Sequence, residues 1–224
     1  MHFLITAGGT REYIDPVRFI SNASSGKMGY ALAEAAFSAG HKVTLISASD
    51  LQPPVGMDFV GVESAEDMLN AVKRFFNQCD CLIMAAAVAD YTPVRPAKTK
   101  IKKTGKSLTI KLKPTADILK WAGMHKKVRS QKTEGRRQKA ENGGQKGQIV
   151  VGFALEDKNL RANAEKKLKE KNLDMIIANT SAVIGSDRTC VQIKTPDGRW
   201  LGLSAAAKSS IASRIIKLIE KRKF

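Results

Sequence analysis

The stretch Ile20-Ser-Asn-Ala-Ser-Ser-Gly-Lys-Met-Gly29 decides the fold, because it links a short apolar segment at residues 3–6 to an apolar-periodic segment at residues 30–39. The first segment predicts a strand and the second a helix. Backbone N–H groups at the start of a helix lie at the positive end of its dipole, where they favour phosphate. The stretch therefore predicts a strand–loop–helix unit that binds phosphate or substrate through Gly8, Gly9, Ser24, Ser25, Gly26 and Lys27.

Strand and helix patterns alternate outward from this unit. Further strands are predicted at residues 42–47, 81–86, 149–154 and 175–178, and helices at 27–39, 65–76, 117–123, 160–171 and 205–221. Short apolar strands separated by helices indicate right-handed βαβ units. The predicted fold is α/β, with a modified Rossmann-like, doubly wound, mainly parallel sheet and a ligand at the ends of its strands. Residues 190–195 and 199–203 flank Pro196-Asp-Gly198 and predict a terminal hairpin.

Two basic segments interrupt the alternation within a single domain of residues 1–224. Lys100-Ile-Lys-Lys103 and Ser107-Leu-Thr-Ile-Lys-Leu-Lys113 alternate with period two around Thr-Gly-Lys. Residues 98–113 therefore predict a basic β-hairpin arm or flap. Residues 124–147 are rich in Lys, Arg, Gln and Gly, and predict a basic, mobile surface insertion.

Composition and charge limit the class of protein. A chain of 224 residues with 43% hydrophobic content can build a large core. It has no apolar run of the about 18–20 residues that a membrane span needs, and its start lacks the pattern of a signal peptide. Three cysteines without a disulfide framework favour a reducing compartment, so we expect a cytoplasmic protein. The net charge of +17 is concentrated between residues 98 and 146, which predicts either nucleic-acid binding or a phosphate-rich small substrate.

Two common nucleotide motifs are absent. Gly8-Gly9 lacks the third glycine of the dinucleotide fingerprint. The P-loop pattern fails at Ser21, where it requires Gly, and at Met28, where it requires Ser or Thr. A dehydrogenase and an ordinary P-loop NTPase are therefore disfavoured.

A more particular resemblance covers nearly the whole chain outside the basic insertion. It is carried, in order, by Ile5-Thr-Ala-Gly-Gly-Thr-Arg-Glu12, Asp15-Pro-Val-Arg-Phe-Ile-Ser-Asn22, Ser24-Ser-Gly-Lys-Met-Gly29, Ala85-Ala-Ala-Val-Ala-Asp-Tyr91, Lys100-Ile-Lys-Lys103, Pro114-Thr-Ala-Asp-Ile-Leu119, Val151-Gly-Phe-Ala154 and Lys171-Asn-Leu-Asp-Met-Ile-Ile-Ala-Asn179. These motifs closely resemble the bacterial phosphopantothenate–cysteine ligases, also called phosphopantothenoylcysteine synthetases. The resemblance implies that 4′-phosphopantothenate and L-cysteine are joined during coenzyme A synthesis. CTP and Mg²⁺ would be used, through an acyl-cytidylate, with release of pyrophosphate and CMP.

The resemblance also implies roles for individual residues. Asn22 and Arg18 match residues of the amide-forming step, and Lys100 matches the lysine needed to form the acyl-cytidylate. Ala87 lies where a strand end meets the ligand. The implied nucleotide-binding residues are Asp90, which is also a candidate Mg²⁺ ligand, with Lys100, Ala116, Asp117, Ile118, Leu119, Phe153, Lys167 and Lys171.

Plainer structural roles remain open for several of these residues. Asn22 could cap a helix or a turn, and Arg18 could form a surface ion pair with Asp15. Ala87 and Phe153 could be core residues, and Asp90 could cap a turn. Lys167 and Lys171 lie four residues apart on one helix face and could simply be solvated.

The resemblance further implies a homodimer, because the family pairs as homodimers. It also implies no FMN, because the chain begins where the ligase domain of its longer relatives begins. A separate decarboxylase is a candidate partner. ATP in place of CTP is the minor variant. The rival hypothesis is a basic nucleic-acid-binding protein that has lost catalysis, which is disfavoured because no aromatic stacking residues interleave the lysines.

Overall fold

A computed structural model describes residues 1–127, 147–180 and 186–221. Its centre is an eight-stranded sheet with the order β12-β11-β10-β9-β6-β1-β4-β5. Six strands are mutually parallel: β1 (His2–Ala7), β4 (Lys42–Ser47), β5 (Asp58–Gly61), β6 (Cys81–Met84), β9 (Ile149–Leu155) and β10 (Met175–Asn179). The predicted mainly parallel, Rossmann-like sheet is confirmed.

Five helices cover the two faces of the sheet. One face packs against α1 (Lys27–Ser38) and α5 (Lys208–Lys221), and the other against α2 (Ala65–Phe76), α3 (Ile118–His125) and α4 (Leu160–Glu170). The sheet is therefore doubly wound, as the sequence predicts. Strand β1 pairs with β4 on one side and β6 on the other, so the chain reverses its direction of progress between β1 and β6. Such a reversal leaves a crevice at the carboxyl ends of the strands.

Helix α2 illustrates how the sequence specifies these elements. Ser64 and Asp67 form a capping box, in which Ser64 Oγ accepts from the N–H of Asp67 and Asp67 Oδ2 accepts from the N–H of Ser64. Met68, Val72 and Phe76 form its buried stripe. Burial of each of these side chains contributes about 1.5–3 kcal/mol, so this helix is stabilised both by its cap and by the core.

The antiparallel end of the sheet consists of β11 (Arg188–Lys194) and β12 (Leu201–Ala207). This pair confirms the predicted terminal hairpin. Strand β11 pairs with β10, so the hairpin extends the parallel sheet.

The predicted pairing of residues 100–103 with residues 107–113 in a hairpin is wrong. Two small ribbons form instead: β2 (Arg11–Tyr13) with β3 (Phe19–Ser21), and β7 (Tyr91–Pro93) with β8 (Leu112–Pro114). Residues 94–111, which connect β7 to β8, contain no strand or helix. The alternation at residues 100–103 predicted a strand, but the peptide N–H and C=O of Ile101 bond to side chains of the first loop.

The start of the basic insertion, predicted at residue 124, also differs in the structure. Helix α3 continues to His125, and Lys126 forms an ion pair with Asp174 at 3.0 Å. Lys127 and Gln148 then bond reciprocally, since Lys127 N donates to Gln148 Oε1 and Gln148 N donates to Lys127 O, each at 3.0 Å. The inserted segment therefore begins after Lys127. Most of the predicted insertion, residues 128–146, lies outside the described residues.

The helices in the described part of the chain are too short or too polar to cross a lipid bilayer.

Candidate functional site

A cavity of about 900 Å³ opens at the carboxyl ends of the parallel strands. Its wall contains most of the residues that the sequence singled out, drawn from the loop before α1, the segment after β6, the start of α3, and β9 with α4. These residues are Asn22, Ser24, Ser25, Gly26, Lys27, Ala87, Asp90, Ala116, Asp117, Ile118, Leu119, Phe153, Lys167 and Lys171. Residues from distant parts of the sequence are thus brought together at one crevice.

Asn22 is fixed by the segment that follows β6. Its Nδ2 donates to the carbonyl oxygens of Ala87 at 3.3 Å and Val88 at 3.0 Å. Carbonyl oxygens only accept hydrogen bonds, so these two partners determine which end of the amide faces them. With its N–H groups engaged in this way, Asn22 offers its Oδ1 as an acceptor. The plainer role of Asn22 as a helix cap is not observed, because the N-cap of α1 is Gly26.

One end of the cavity is built for an anion. Gly26 is the N-cap of α1 with φ at 79°, a left-handed conformation that glycine adopts without strain. It makes no side-chain cap bond, and the first turn of α1 carries no acidic residue. Lys27 lies beside this turn, where its Nζ pairs with Asp187 Oδ1 at 2.6 Å, and Lys208 of α5 lines the same cavity.

The part of the cavity wall formed by β9 and α4 carries two lysines held by fixed acceptors. Lys167 donates to the carbonyl oxygen of Phe153 at 2.7 Å, and Lys171 pairs with Asp117 at 2.8 Å. Burial lowers the pKa of Lys167, and the neighbouring charge of Lys171 lowers it further, while Asp117 and other acids oppose the shift.

Asp117 joins this wall to the start of α3. Its Oδ1 accepts from the N–H of Lys120 at 2.9 Å, so it is the N-cap of the helix as well as the partner of Lys171. Burial acts to raise the pKa of Asp117, but the bonds from Lys171 and Lys120 outweigh it and lower the pKa. The carboxylate therefore stays ionised and keeps both contacts.

Gly8 and Gly9 lie behind the cavity wall, outside its lining. The N–H of Ala87 donates to Gly8 O at 2.8 Å, and Gly9 forms a β-bridge with Ala87. These glycines hold in place the peptide whose carbonyl anchors Asn22.

Arg18 and Lys100 also lie outside the cavity lining. Arg18 forms the ion pair with Asp15 that the sequence left open, at 2.5 Å, and also donates to the carbonyl oxygen of Ile101 at 2.7 Å. Lys100 is exposed on the connecting segment that includes Ile101.

Several lining residues were missed from the sequence: Met84, Ala85, Glu156, Asn179, Thr189 and Lys208. Asn179 is the last residue of β10, so the rule that ligands meet strand ends could have found it. Lys208 carries no such signal, because its position depends on how α5 returns to the sheet.

The described residues contain no group of three or more His, Cys, Asp or Glu side chains that could hold a metal ion. Asp90 and Glu156 nevertheless place carboxylates on the cavity wall. Mg²⁺ typically binds through one or two carboxylates together with substrate phosphates. These residues therefore fit a Mg²⁺ ion that arrives with a nucleotide, and Asp90 is the candidate ligand.

The family model of the DNA/pantothenate metabolism flavoprotein C-terminal domain matches residues 1–135 and 137–223. The coenzyme A biosynthesis bifunctional protein CoaBC of Bacillus subtilis (strain 168) is 42% identical over 224 residues, covering 97% of this chain and 50% of the relative. A cysteine/cysteine sulfinic acid decarboxylase of an unknown prokaryotic organism is 39% identical over 221 residues, covering 96% of this chain and 56% of that protein. The chain thus spans about half the length of these curated relatives.

A solved structure matches more completely. The crystal structure of the C-terminal domain of a coenzyme A biosynthesis bifunctional protein CoaBC superposes with a TM-score of 0.76 and 39% identity, covering 98% of this chain and 93% of that domain.

Proposed function

Since this chain belongs to the family of the DNA/pantothenate metabolism flavoprotein C-terminal domain, we propose that it is a ligase of coenzyme A biosynthesis. It joins 4′-phosphopantothenate to L-cysteine at the expense of a nucleoside triphosphate. The observation that carries this proposal is the single cavity that holds Asn22, the anion end at Gly26 and the two-lysine wall.

The first step forms an acyl-nucleotide. A carboxylate oxygen of phosphopantothenate attacks the α-phosphorus of the nucleotide, the bond from that phosphorus to the bridging oxygen breaks, and pyrophosphate leaves with the electron pair. A carboxylate is already ionised at neutral pH, so this step needs neutralisation of charge and no general base. Lys167 and Lys171 supply fixed positive charge on the cavity wall, and Lys100 would add to it at the leaving phosphates.

The second step forms the amide. The cysteine amine attacks the acyl carbon and gives up one proton to solvent, the bond from carbon to the phosphate oxygen breaks, and CMP leaves with the electron pair. Because Nδ2 of Asn22 is engaged by two carbonyl groups, Oδ1 is the atom that can accept a hydrogen bond from the incoming amine. Asn22 therefore orients the nucleophile.

The substrate phosphate belongs at the anion end, on the N–H groups at the start of α1 and on the ammonium groups of Lys27 and Lys208. Lys167 and Lys171 then serve the nucleotide.

CTP is the proposed nucleotide, and Mg²⁺ the proposed ion, with Asp90 as its protein ligand. When bound, Mg²⁺ neutralises charge on the phosphate oxygens. The CTP proposal is supported by the resemblance of the Arg11-Glu12 and Asp15-Pro16 contexts to the bacterial ligases.

A pyrophosphate-release assay tests this function. With CTP, Mg²⁺ and phosphopantothenate but no cysteine, we expect a burst of about one pyrophosphate per site, followed by steady turnover when cysteine is added. Pantothenate without its phosphate should replace the substrate poorly. Equal or faster turnover with ATP would overturn the CTP assignment, and the absence of any burst with either nucleotide would overturn the ligase.

A homodimer in the cytoplasm is part of the same proposal. The two ribbons, β2–β3 and β7–β8, carry exposed apolar side chains that include Val17, Phe19 and Tyr91, at 56%, 44% and 54% exposure. Apolar side chains grouped on a surface favour a protein partner, and a second copy of the chain is the partner proposed. Sedimentation should give twice the chain mass, and Phe19→Lys should shift it towards the monomer.

A separate decarboxylase is the other proposed partner. It is supported by two relatives, a bifunctional protein of coenzyme A biosynthesis and a decarboxylase, of each of which this chain matches about half.

A further inference from the structure

Asp15 is a buried carboxylate in the first loop, and the function proposed above gives it no role. Its side chain is fully inaccessible to solvent. Oδ1 accepts from the backbone N–H groups of Val17 and Arg18, both at 2.9 Å, which closes the turn between β2 and β3. Its second oxygen, Oδ2, faces away from this turn and makes a different set of bonds.

Oδ2 of Asp15 reaches a distant segment. It accepts from the backbone N–H of Ile101 at 3.1 Å, and from Nε and Nη2 of Arg18 at 3.0 and 2.5 Å. Arg18 Nη2 in turn donates to the carbonyl oxygen of Ile101 at 2.7 Å. The backbone N–H and C=O of Ile101, which lies eighty-six positions after Asp15, are thus both held by the Asp15–Arg18 pair.

This pair is an ionic clamp across a wide range of pH. The guanidinium of Arg18 holds the pKa of Asp15 far below its usual range, against the opposing effect of burial and with help from the N–H groups of Val17 and Ile101. Hydrogen bonds to an ionised acceptor are stronger than neutral ones. The clamp therefore persists at every pH at which the enzyme would work.

The clamped residue immediately follows Lys100. Residues 94–111 contain no strand or helix, so no sheet ladder fixes this part of the chain. One further backbone bond holds it to the first loop, from Ala97 N to Ile14 O at 2.8 Å. The position of Lys100 therefore depends on contacts with the loop that carries Asn22, chiefly on the clamp.

We propose that Asp15 is a positioning residue for Lys100, and that Arg18 acts with it by holding the Ile101 peptide. The clamp sets the point on the first loop from which the ammonium of Lys100 approaches the nucleotide phosphates. This role of Arg18 adds to the part in the amide-forming step that the resemblance implies for it. The inference rests on the ligase function proposed above, because it concerns the lysine assigned to the first step.

Asp15→Asn should disrupt the clamp at Ile101 while it preserves the turn between β2 and β3. The amide keeps an oxygen for the N–H groups of Val17 and Arg18, but it presents an NH₂ group to Ile101 N–H and to the Arg18 guanidinium, which are donors as well. The matched control is Asp50→Asn. It removes the partner of Arg11 on the same ribbon, at a carboxylate that is 82% exposed and does not contact Ile101.

The first measurement is the rate of the pyrophosphate burst without cysteine, at saturating CTP. A misplacement of about 1 Å costs about 10²-fold in rate, so Asp15→Asn should slow the burst by about that factor. The dissociation constant of CTP, whose other contacts lie on the cavity wall, should change less than about twofold. Asp50→Asn should match the wild type.

The second measurement is a double-mutant cycle with Lys100→Gln. If Asp15 acts through Lys100, the double variant is no slower than Lys100→Gln alone. If the losses in burst rate of the two single variants multiplied in the double variant, the proposal would be overturned.

Amide hydrogen exchange supplies a readout that does not depend on turnover. Asp15→Asn should speed exchange in residues 97–101 and leave β1 unchanged. Unchanged exchange in residues 97–101, or faster exchange with a normal burst rate, would overturn the clamp as a positioning device. A wild-type protein without any burst would refute the ligase function instead, while the exchange result would still report on the clamp.

Discussion

The side-chain amide of Asn22 illustrates how a single residue acquires a chemical role from its neighbours. The sequence alone allows the amide to donate or to accept, whereas the structure engages its Nδ2 with the carbonyl oxygens of Ala87 and Val88. The remaining polar atom, Oδ1, can only accept a hydrogen bond, which suits an amine nucleophile better than an oxyanion. This distinction leads to a step-specific prediction.

Asn22→Asp should permit pyrophosphate release and block amide formation. The carboxylate loses both N–H donors and faces two carbonyl oxygens, so the acceptor that orients the amine is displaced. We expect the second step to fall by about 10²-fold, the usual scale for one oriented polar group in a reaction, while the burst changes far less. Chromatography of the acyl-cytidylate and of the amide product measures both steps.

The control for this variant is Lys100→Gln, which should suppress the burst itself. If both variants failed alike at pyrophosphate release, the separate roles given to Asn22 and Lys100 would be wrong.

Lys167 gives a prediction about pH. Burial lowers its pKa, so its ammonium loses a proton at a lower pH than an ordinary lysine, whose pKa is about 10.4. The affinity for CTP should therefore fall on the alkaline side before that pH is reached. Because the folded state disfavours the charged form, the free energy of unfolding should rise as pH increases through the same range.

Titration calorimetry of CTP at several pH values measures this effect. Lys167→Arg keeps its charge to above about pH 12, so its alkaline loss of affinity should be much smaller than that of the wild type. An equal loss in both proteins would mean that Lys167 is not the group that titrates.

Residue-level prediction from the sequence located several residues of the cavity wall through their motifs. Asn22, Asp90 and Lys171 line the cavity, and their roles in the reaction stay predictions. It failed for Lys208, whose place depends on a helix that returns from the far end of the chain, and the structure places Arg18 outside the cavity, where its guanidinium is held by Asp15.

At the scale of elements, the contact between α3 and the end of α4 positions the part of the cavity wall that carries Asp117 and Lys171. Gly123 of α3 approaches the backbone of Lys171 so closely that a Cβ on Gly123 would overlap the carbonyl oxygen of Lys171. Asn172 Nδ2 also donates to Gly123 O at 2.8 Å. The two helices are therefore fitted to one another through a glycine.

Gly123→Ala should force these helices apart. We expect a loss of about 1–3 kcal/mol in the free energy of unfolding, as for other overpacked sites, together with a higher KM for the nucleotide because Lys171 and Asp117 move. Gly202→Ala is the matched control, since a Cβ there meets no atom within 4 Å. Denaturant unfolding and initial rates give both quantities, and a normal KM in a destabilised Gly123 variant would contradict the positioning role.

The ends of the basic insertion predict that the segment between them can be replaced. Lys127 and Gln148 hold the two ends together by reciprocal bonds. Replacing residues 128–146 by a short Gly-Ser linker should therefore leave the melting temperature and the ligase rate nearly unchanged.

A deletion that also removes Lys126 should behave differently. The side chain of Lys126 is 10% exposed and pairs with Asp174, whose side chain is 25% exposed. Loss of this partly buried ion pair should therefore lower the melting temperature by more than the shorter deletion does. Equal melting temperatures for the two deletions would show that the ion pair is unimportant. Loss of ligase activity in the shorter deletion would show that residues 128–146 take part in function.

Elements were predicted well where the core determines them. Five of the six parallel strands are largely apolar and buried, and α2 has its cap and stripe in the sequence, so their limits could be placed within a few residues. Strand β5 was not predicted, because its four residues are only half-buried or exposed and carry no apolar run. The error at residues 98–113 has a clear physical cause. A period-two pattern identifies a strand only if the peptide groups pair with another strand, and those of Ile101 bond instead to the side chains of Asp15 and Arg18.

At the scale of the whole molecule, the charge of +17 is spread over several parts of the chain, and two of these parts differ in where they lie. Lys27, Lys167, Lys171 and Lys208 surround one cavity, which suits a small ligand with several phosphate groups. Residues 128–146 contribute six Lys or Arg against two Glu, hence +4, and lie outside the described residues. The fold brings the lysines of the cavity together, and the sequence could locate cavity residues only through motifs.

In the proposed reaction, the acid is activated by direct attack of its carboxylate on the nucleotide. Phosphopantothenate labelled with ¹⁸O in its carboxylate, turned over with CTP and cysteine, tests it by mass spectrometry of the CMP produced. Because the carboxylate oxygen becomes bonded to phosphorus and the acyl carbon–oxygen bond later breaks, one ¹⁸O atom should appear in each CMP. CMP free of label, with both labelled oxygens elsewhere, would contradict the acyl-cytidylate and the site assignments built on it.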